Sequence, residues 1–180
     1  MSTVRPLFAA LATCALFACS SGEDESGAVT PIDCGFDRGA VQVTVVVDAA
    51  CNGCGVDNSA RVADGDLAAS ARVTLNGNAA GDGVRIRVTR TDGGEFTDRR
   101  PVGFYWSNPD DGFCEQTLTY RNGVEQSGGN STGCIGAGGE MGAVGSSSAD
   151  AYDAVEVRLT AAGGAGSSVR LSIDEICAEF

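Results

Sequence analysis

Apolar and polar residues alternate along much of this chain. The alternation is clearest in residues 41–45, 84–88, 155–159 and 169–173, is weaker in residues 71–75, 102–106 and 115–120, and suggests one more strand near Val124. Since successive side chains of a β-strand point to opposite faces, each run predicts a strand with one buried and one exposed face. In residues 84–88, for example, Arg85 and Arg87 are expected on the exposed face.

Turn signals separate these runs. Asp-Gly or Asn-Gly pairs stand at 64–65, 76–77, 82–83, 92–93, 111–112 and 122–123, and both glycine and asparagine adopt positive φ at small cost. No amphipathic helical pattern longer than two turns is present. Short strands with one polar face bury their apolar faces only when two sheets pack together or one sheet closes. The pattern therefore predicts an all-β, two-sheet β-sandwich of the jelly-roll kind, with an immunoglobulin-like sandwich as the alternative.

The first eighteen residues predict an export signal. Arg5 precedes the apolar run 7–18, which contains no acidic residue. Such a run would span only about 18 Å as a helix, against ~30 Å of bilayer hydrocarbon, so a permanent transmembrane helix is disfavoured. We expect residues 1–18 to be removed, residues 19–33 to form a polar tether, and residues 34–180 to form one domain.

Residues 16–18, Leu-Phe-Ala, stand before Cys19 and resemble the lipobox of bacterial lipoproteins. The resemblance implies cleavage before Cys19 and attachment of several acyl chains there, which would anchor the protein to a membrane for good. Ser20 follows in place of an aspartate, which in Gram-negative lipoproteins implies the outer membrane. Cleavage before Cys14, or an ordinary secretory signal with an incidental cysteine, are the alternatives.

Six further cysteines predict disulfides. They are Cys34, Cys51, Cys54, Cys114, Cys134 and Cys177, an even number in an exported chain. The preferred pairs are Cys51–Cys54, Cys114–Cys134 and Cys34–Cys177, with other pairings open. The second pair would hold residues 127–149, a Gly/Ser-rich stretch expected to form a long surface loop, to a strand. Zinc or a redox motif at 51–54 is disfavoured, because the chain has no histidine and residues 55–59 do not read as a helix.

The charge balance excludes several functions. The chain has 24 acidic and 12 basic residues and a net charge of −12. A chain this acidic has little with which to neutralise phosphates, so a nucleic-acid partner is excluded. Without histidine, Ser-His-Asp and Cys-His nucleophile schemes are excluded as well. No carboxylate pair stands out as a glycosidase pair, and we expect a protein that is not an enzyme.

Two short segments resemble a known family. Residues 56–67, Val-Asp-Asn-Ser-Ala-Arg-Val-Ala-Asp-Gly-Asp-Leu, resemble the early loop of galactose-binding-like jelly rolls of the discoidin (coagulation factor 5/8 type C) kind. Residues 172–177 are similar to the closing strand of those domains. The likeness covers the two ends of the domain and not its middle. Ala69 stands where the family usually has threonine, and Ala71 where many members have tryptophan.

The resemblance implies a structural calcium ion. In many such domains the early Asp-Gly loop and a late glutamate hold Ca²⁺ through hard oxygen ligands. Carried over by position, Asp64, Asp66 and Glu175 would be its ligands. Ala69 supplies no hydroxyl, for which Ser70 would have to compensate.

The resemblance also implies a surface-anchored module that binds a glycan or another envelope component. The candidate contacts are Tyr105, Trp106, Tyr120 and Arg121, because aromatic rings stack on sugars and guanidinium groups bond to hydroxyls. Phe104 and Trp106 share a strand face by period two, which favours a core position for Trp106. The alternatives are a structural or assembly lipoprotein without a small ligand and, less favoured, a carboxylate-based hydrolase.

Overall fold

The computed structural model describes residues 40–77, 83–96, 102–127, 130–138, 142–145, 151–163 and 166–177. The predicted export signal, the tether with Cys19, and Cys34 lie outside these residues. Within the described residues, no helix has the length and apolar character that a membrane crossing requires.

Two antiparallel sheets make up the described structure. The strands are β1 (Val41–Val47), β2 (Gly55–Asp57), β3 (Ala71–Asn76), β4 (Gly83–Arg90), β5 (Gly103–Ser107), β6 (Phe113–Arg121), β7 (Val124–Glu125), β8 (Ser131–Ile135), β9 (Gly142–Gly145), β10 (Ala154–Ala161) and β11 (Ser168–Cys177). The first sheet has the order β1-β4-β10-β6-β7, with β8 also on β6, and the second has the order β2-β3-β11-β5-β9. A 3-10 helix, Ser59–Ala63, lies between β2 and β3. The predicted all-β fold, a two-sheet sandwich, is confirmed.

The inner faces of the two sheets form one hydrophobic core. The first sheet contributes Val84, Ile86, Val88, Val155, Val157 and Leu159, and the second contributes Val73, Leu75, Phe104, Leu171, Ile173 and Ile176. In β4 and β10 these are the apolar positions of the alternating runs, so the alternate polar positions lie on the outer face. The outer face of β4 and β10 therefore carries mainly polar side chains.

The prediction of a long surface loop at residues 127–149 is wrong, because this segment contains two strands. β8 pairs with β6, and β9 pairs with β5 at the edge of the second sheet. Backbone hydrogen bonds define a strand, and these two edge strands need few apolar side chains to form. The sequence analysis did not predict β8 and β9 because they lack the apolar–polar alternation, and it did not predict β2 because that strand has only three residues.

The disulfides follow the predicted scheme wherever the structure describes both cysteines. Cys51 is bonded to Cys54 and Cys114 to Cys134. The second bond joins residues that face each other directly in the β6–β8 pairing, so it fastens β8 to its neighbour. Cys177 is also in a disulfide, and its partner lies outside the described residues. The pair Cys34–Cys177 stays a prediction, because Cys34 lies outside the described residues. The first described strand, β1, and the last, β11, belong to different sheets.

Candidate functional site

A groove of about 490 Å³ lies on the outer side of the first sheet. Its side chains are mostly polar: the lining includes Asp48, Arg85, Cys114, Gln116, Thr132, Arg158 and Thr160. Binding pockets for small molecules measure roughly 300 to 1,000 Å³. The groove is therefore large enough for a small ligand. We call it the outer groove.

The strand register places this lining in a row across four strands. Arg85 of β4 faces Arg158 of β10, Arg158 faces Gln116 of β6, and Gln116 faces Thr132 of β8. Side chains directly opposite on one face of a sheet have Cβ atoms about 5 Å apart. The row therefore forms a continuous strip of hydrogen-bonding groups that crosses the strands.

Carboxylates hold the two arginines of the row in place. Arg85 donates from Nη2 to Asp48 Oδ1 at 2.6 Å, while its Nε is buried without a hydrogen-bond partner. Arg158 donates from Nε to Glu156 Oε1 at 2.7 Å and from Nη2 to the Tyr120 hydroxyl oxygen at 2.7 Å. The side chains of Arg85 and Arg158 are 40% and 35% exposed. Both guanidinium groups thus remain accessible while their orientation is fixed.

Tyr120 lies beside this row and is largely covered. Leu118, Tyr120 and Ala154 form a small buried cluster that is separate from the main core. The guanidinium carbon of Arg87 lies 4.4 Å from the centre of the Tyr120 ring. Burial raises the pKa of Tyr120, and the nearby Glu156 carboxylate raises it further. In this structure Tyr120 presents a hydroxyl group to its neighbours and no open ring face for stacking.

The other three predicted ligand contacts lie elsewhere. Trp106 packs edge-on against Phe113, with ring centres 5.5 Å apart, and contacts the core, the position the strand pattern favoured. Tyr105 alternates with buried Phe104 and lies on the outer side of the second sheet. Arg121 forms an ion pair with Glu95 at 2.7 Å. The four residues do not share one surface, and their roles in binding stay predictions.

Sequence reasoning passed over the residues that line the outer groove. The alternating pattern predicted that Arg85 and Arg158 point outward from their strands, and the structure confirms this. No feature of the sequence shows that β4 and β10 are neighbours, since 63 residues separate the last residue of β4 from the first residue of β10. The row exists only through strand pairing.

The structure brings the predicted calcium ligands partly together. Glu175 Oε2 accepts a hydrogen bond from the Gly65 amide at 2.9 Å, across 110 positions of sequence. Asp64 Oδ1 and Asp66 Oδ1 accept hydrogen bonds from the amides of Asp66 and Ala68. Among the described residues, no group of three metal-ligating side chains is arranged to hold an ion. The loop and Glu175 meet as the resemblance implied, and calcium binding itself stays a prediction.

Glu175 is buried with one oxygen unsatisfied. It is 1% exposed, and its Oε1 has no hydrogen-bond partner. Burial raises its pKa to about 7, against the lowering effect of the Gly65 hydrogen bond and with a further increase from Asp64. Asp174 beside it is also buried, with Oδ2 unpartnered, and burial raises its pKa as well. A carboxylate oxygen without a hydrogen-bond partner is a suitable cation ligand, so Glu175 fits calcium. Asp64 and Asp66 fit it only in part, because one oxygen of each already accepts a backbone hydrogen bond.

The carboxylates around the outer groove do not favour acid–base chemistry. Glu115 is 4% exposed and accepts hydrogen bonds from the hydroxyls of Thr117 and Ser131, and burial raises its pKa. Asp48 and Glu156 are held in ion pairs with arginines. A general acid must reach the substrate and a general base must be free to accept a proton. The arrangement suits binding better than catalysis.

Comparisons with known proteins give structural likeness at low sequence identity. A structure described as "CBM4 structure and function" has a TM-score of 0.48 and 14% identity, covering 75% of this chain and 92% of its own. A pectin binding carbohydrate binding module has a TM-score of 0.45 and 12% identity, over 78% and 91% of the two chains. No family model matches the sequence, and no curated protein matches it. At this level the likeness assigns no ligand to this chain.

Proposed function

We propose that this protein is a non-catalytic binding module that holds a glycan in the outer groove. The observation that carries the proposal is the row from Arg85 through Arg158 and Gln116 to Thr132. Guanidinium, amide and hydroxyl groups offer donors and acceptors at regular spacing, which is the chemistry that sugar hydroxyls require. The row lies on a rigid sheet, so a ligand would find its partners already placed.

The lining favours recognition by hydrogen bonds over recognition by stacking. Trp106 contacts the core and the Tyr120 ring is covered by Arg87. The amide of Gln116 and the hydroxyls of Thr132 and Thr160 are neutral groups at the groove. Each is expected to contribute about 0.5 to 1.5 kcal/mol to binding through one hydrogen bond. Affinity would then come from several modest contacts.

A glycan array tests this proposal. The exported chain from residue 20 onward, produced without lipid, should bind a subset of the glycans. We expect Gln116→Ala to weaken the best binding by roughly three- to tenfold, because one hydrogen bond is lost. Thr74→Ala, at a half-buried hydroxyl of the second sheet, is the matched control and should bind as the wild type does.

A negative array would favour the alternative, a structural or assembly lipoprotein without a small ligand. Binding that is equally weakened by Thr74→Ala would contradict the location of the site. Hydrolysis of a bound glycan on prolonged incubation would contradict the non-catalytic part of the proposal.

The proposal includes an anchor at Cys19 that places the domain on the bacterial envelope, in the outer membrane. Labelling of the producing cells with a fatty-acid analogue should mark the wild type, and Cys19→Ala should lose both the label and the membrane association. Cys14→Ala is the control and should keep both. Acylation that persists in Cys19→Ala would exclude this cysteine as the anchor.

A further inference from the structure

Two arginines face each other directly across β4 and β10. Arg85 and Arg158 are register partners on the outer face of the first sheet, and both line the outer groove. Like charges directly opposite in a sheet are destabilising. Their juxtaposition therefore carries a cost that the fold itself does not require, since other polar residues would serve equally well on this face.

The carboxylates nearby leave both guanidinium groups with donors to spare. Asp48 accepts from Arg85 through Nη2, and Glu156 accepts from Arg158 through Nε. A guanidinium group has five N–H donors in a fixed planar fork. Arg85 Nε is buried and out of reach of a ligand, so the donors that remain are on the Nη atoms of the two side chains, which are 40% and 35% exposed. The groove thus retains capacity for an acceptor from outside the protein.

The charges around the groove are nearly balanced in a strongly acidic protein. Three arginines, Arg85, Arg87 and Arg158, lie near the carboxylates of Asp48, Glu156 and Glu125, and Glu115, whose pKa is raised by burial, also lines the groove. The whole chain, in contrast, has a net charge of −12. Screening at physiological salt acts over about 8 Å, so a ligand in the groove experiences mainly the near charges and less repulsion than the net charge of the chain would give.

We infer that the outer groove recognises an acidic glycan, and that Arg85 and Arg158 bind the carboxylate of a uronic acid. A planar carboxylate matches the fork of a guanidinium group and accepts two parallel hydrogen bonds from it. One carboxylate between the two arginines also removes the repulsion between them. This inference rests on the proposed function and specifies the class of sugar.

Matched pairs of sugars test the inference. The exported chain is titrated with trimers of galacturonic, glucuronic and mannuronic acid and with their methyl esters, which keep the ring hydroxyls and lose the charge. At least one acid should bind about tenfold more tightly than its ester, since charge-assisted hydrogen bonds are roughly twice as strong as neutral ones. The preference should shrink at about 1 M salt, where screening acts over ~3 Å.

Substitutions of single arginines test whether the preference for the acid over its ester arises at Arg85 and Arg158. Arg85→Gln should weaken binding of the acid by about tenfold and binding of the ester by only about two- to threefold, the effect of one neutral hydrogen bond. Arg85→Lys keeps the charge and should restore only part of the preference for the acid. Arg158→Gln serves as a second variant, with melting curves to confirm that each variant folds. Arg170→Gln, at an exposed arginine of the second sheet, is the control and should match the wild type.

The outcomes separate the inference from the proposed function. Acids and esters that bind equally would overturn the uronic-acid inference and leave glycan binding intact. Failure of all trimers, together with a negative glycan array, would overturn both. A preference that survives Arg85→Gln and Arg158→Gln would place the carboxylate away from these arginines and overturn the site.

Discussion

Gly83→Ala is expected to lower the free energy of unfolding by about 3 kcal/mol, which corresponds to roughly 6 to 12 °C in the melting temperature of a domain of this size. Gly83 is buried at the start of β4. A Cβ atom there would lie far inside van der Waals contact distance of the Leu159 carbonyl oxygen and 3.1 Å from Thr160 Cγ2. Backbone atoms cannot move aside as side chains do, so the pairing of β4 with β10 would have to shift. Thermal melts of the purified chain measure the effect.

Gly55→Ala is the matched control for this substitution. Gly55 also stands in a strand, but a Cβ atom there has nothing within 4 Å. We expect a change within about 0.5 kcal/mol, as for other surface substitutions. A Gly83→Ala variant that melts like the control would contradict the close approach of β4 and β10 at one end of the outer groove.

Glu175 is expected to make the protein more stable at pH 5 than at pH 8, by up to about 3 kcal/mol. Burial raises its folded-state pKa to about 7 from an ordinary value of 4.5, and each unit of difference corresponds to about 1.4 kcal/mol. Between these values the folded state binds more protons than the unfolded state. The free energy of unfolding therefore falls as the pH rises through this window. Asp174 and Glu115, whose pKa values are also raised by burial, contribute with the same sign.

Glu175→Gln tests this pH dependence. Glutamine keeps an oxygen that accepts the Gly65 hydrogen bond and removes the buried charge. Denaturant titrations between pH 5 and pH 8 should show a clearly flatter profile in the variant. Glu125→Gln, which removes an exposed carboxylate of β7, is the control and should keep the wild-type slope. A wild type whose stability rises with pH over this range would contradict the account of Glu175.

The same pair of proteins tests the calcium prediction. A cation bound by Glu175 would stabilise the folded state by about 2.7 kcal/mol when free calcium exceeds the dissociation constant a hundredfold. The wild type at pH 8 should then melt higher in millimolar calcium than in chelator, and Glu175→Gln should not respond. An unchanged wild-type midpoint would leave Asp64, Asp66 and Glu175 as a turn and a buried carboxylate without an ion.

The sequence predicts those parts of the fold that depend on side-chain pattern. Alternation in residues 84–88 and 155–159 identified both β4 and β10 and the faces they bury, because an amphipathic strand can satisfy its apolar side in only one orientation. β8 and β9 have no alternation of apolar and polar residues and form through backbone hydrogen bonds, so pattern reasoning does not detect them. Local periodicity thus predicts strands whose residues alternate, including the edge strand β1, and misses edge strands without that pattern.

The candidate site was predictable only in part for a related reason. Arg85 and Arg158 were each expected to point outward, but their direct pairing depends on the order of strands in the sheet. Packing decides whether the aromatic residues predicted as sugar contacts are open to a ligand. Trp106 contacts the core, and Arg87 covers the ring of Tyr120. The contact between Gly65 and Glu175 was anticipated through family resemblance, which carries long-range information that periodicity lacks.

Amide chemical shifts recorded during titration with the best glycan test the central claim most directly. If the outer groove binds the glycan, the shifts that change should cluster at Arg85, Gln116, Thr132 and Arg158, with side-chain signals of the two arginines among them. Residues on the outer side of the second sheet, such as Arg72 and Arg170, should stay unchanged. Changes confined to the second sheet, with the outer groove silent at saturation, would contradict the account.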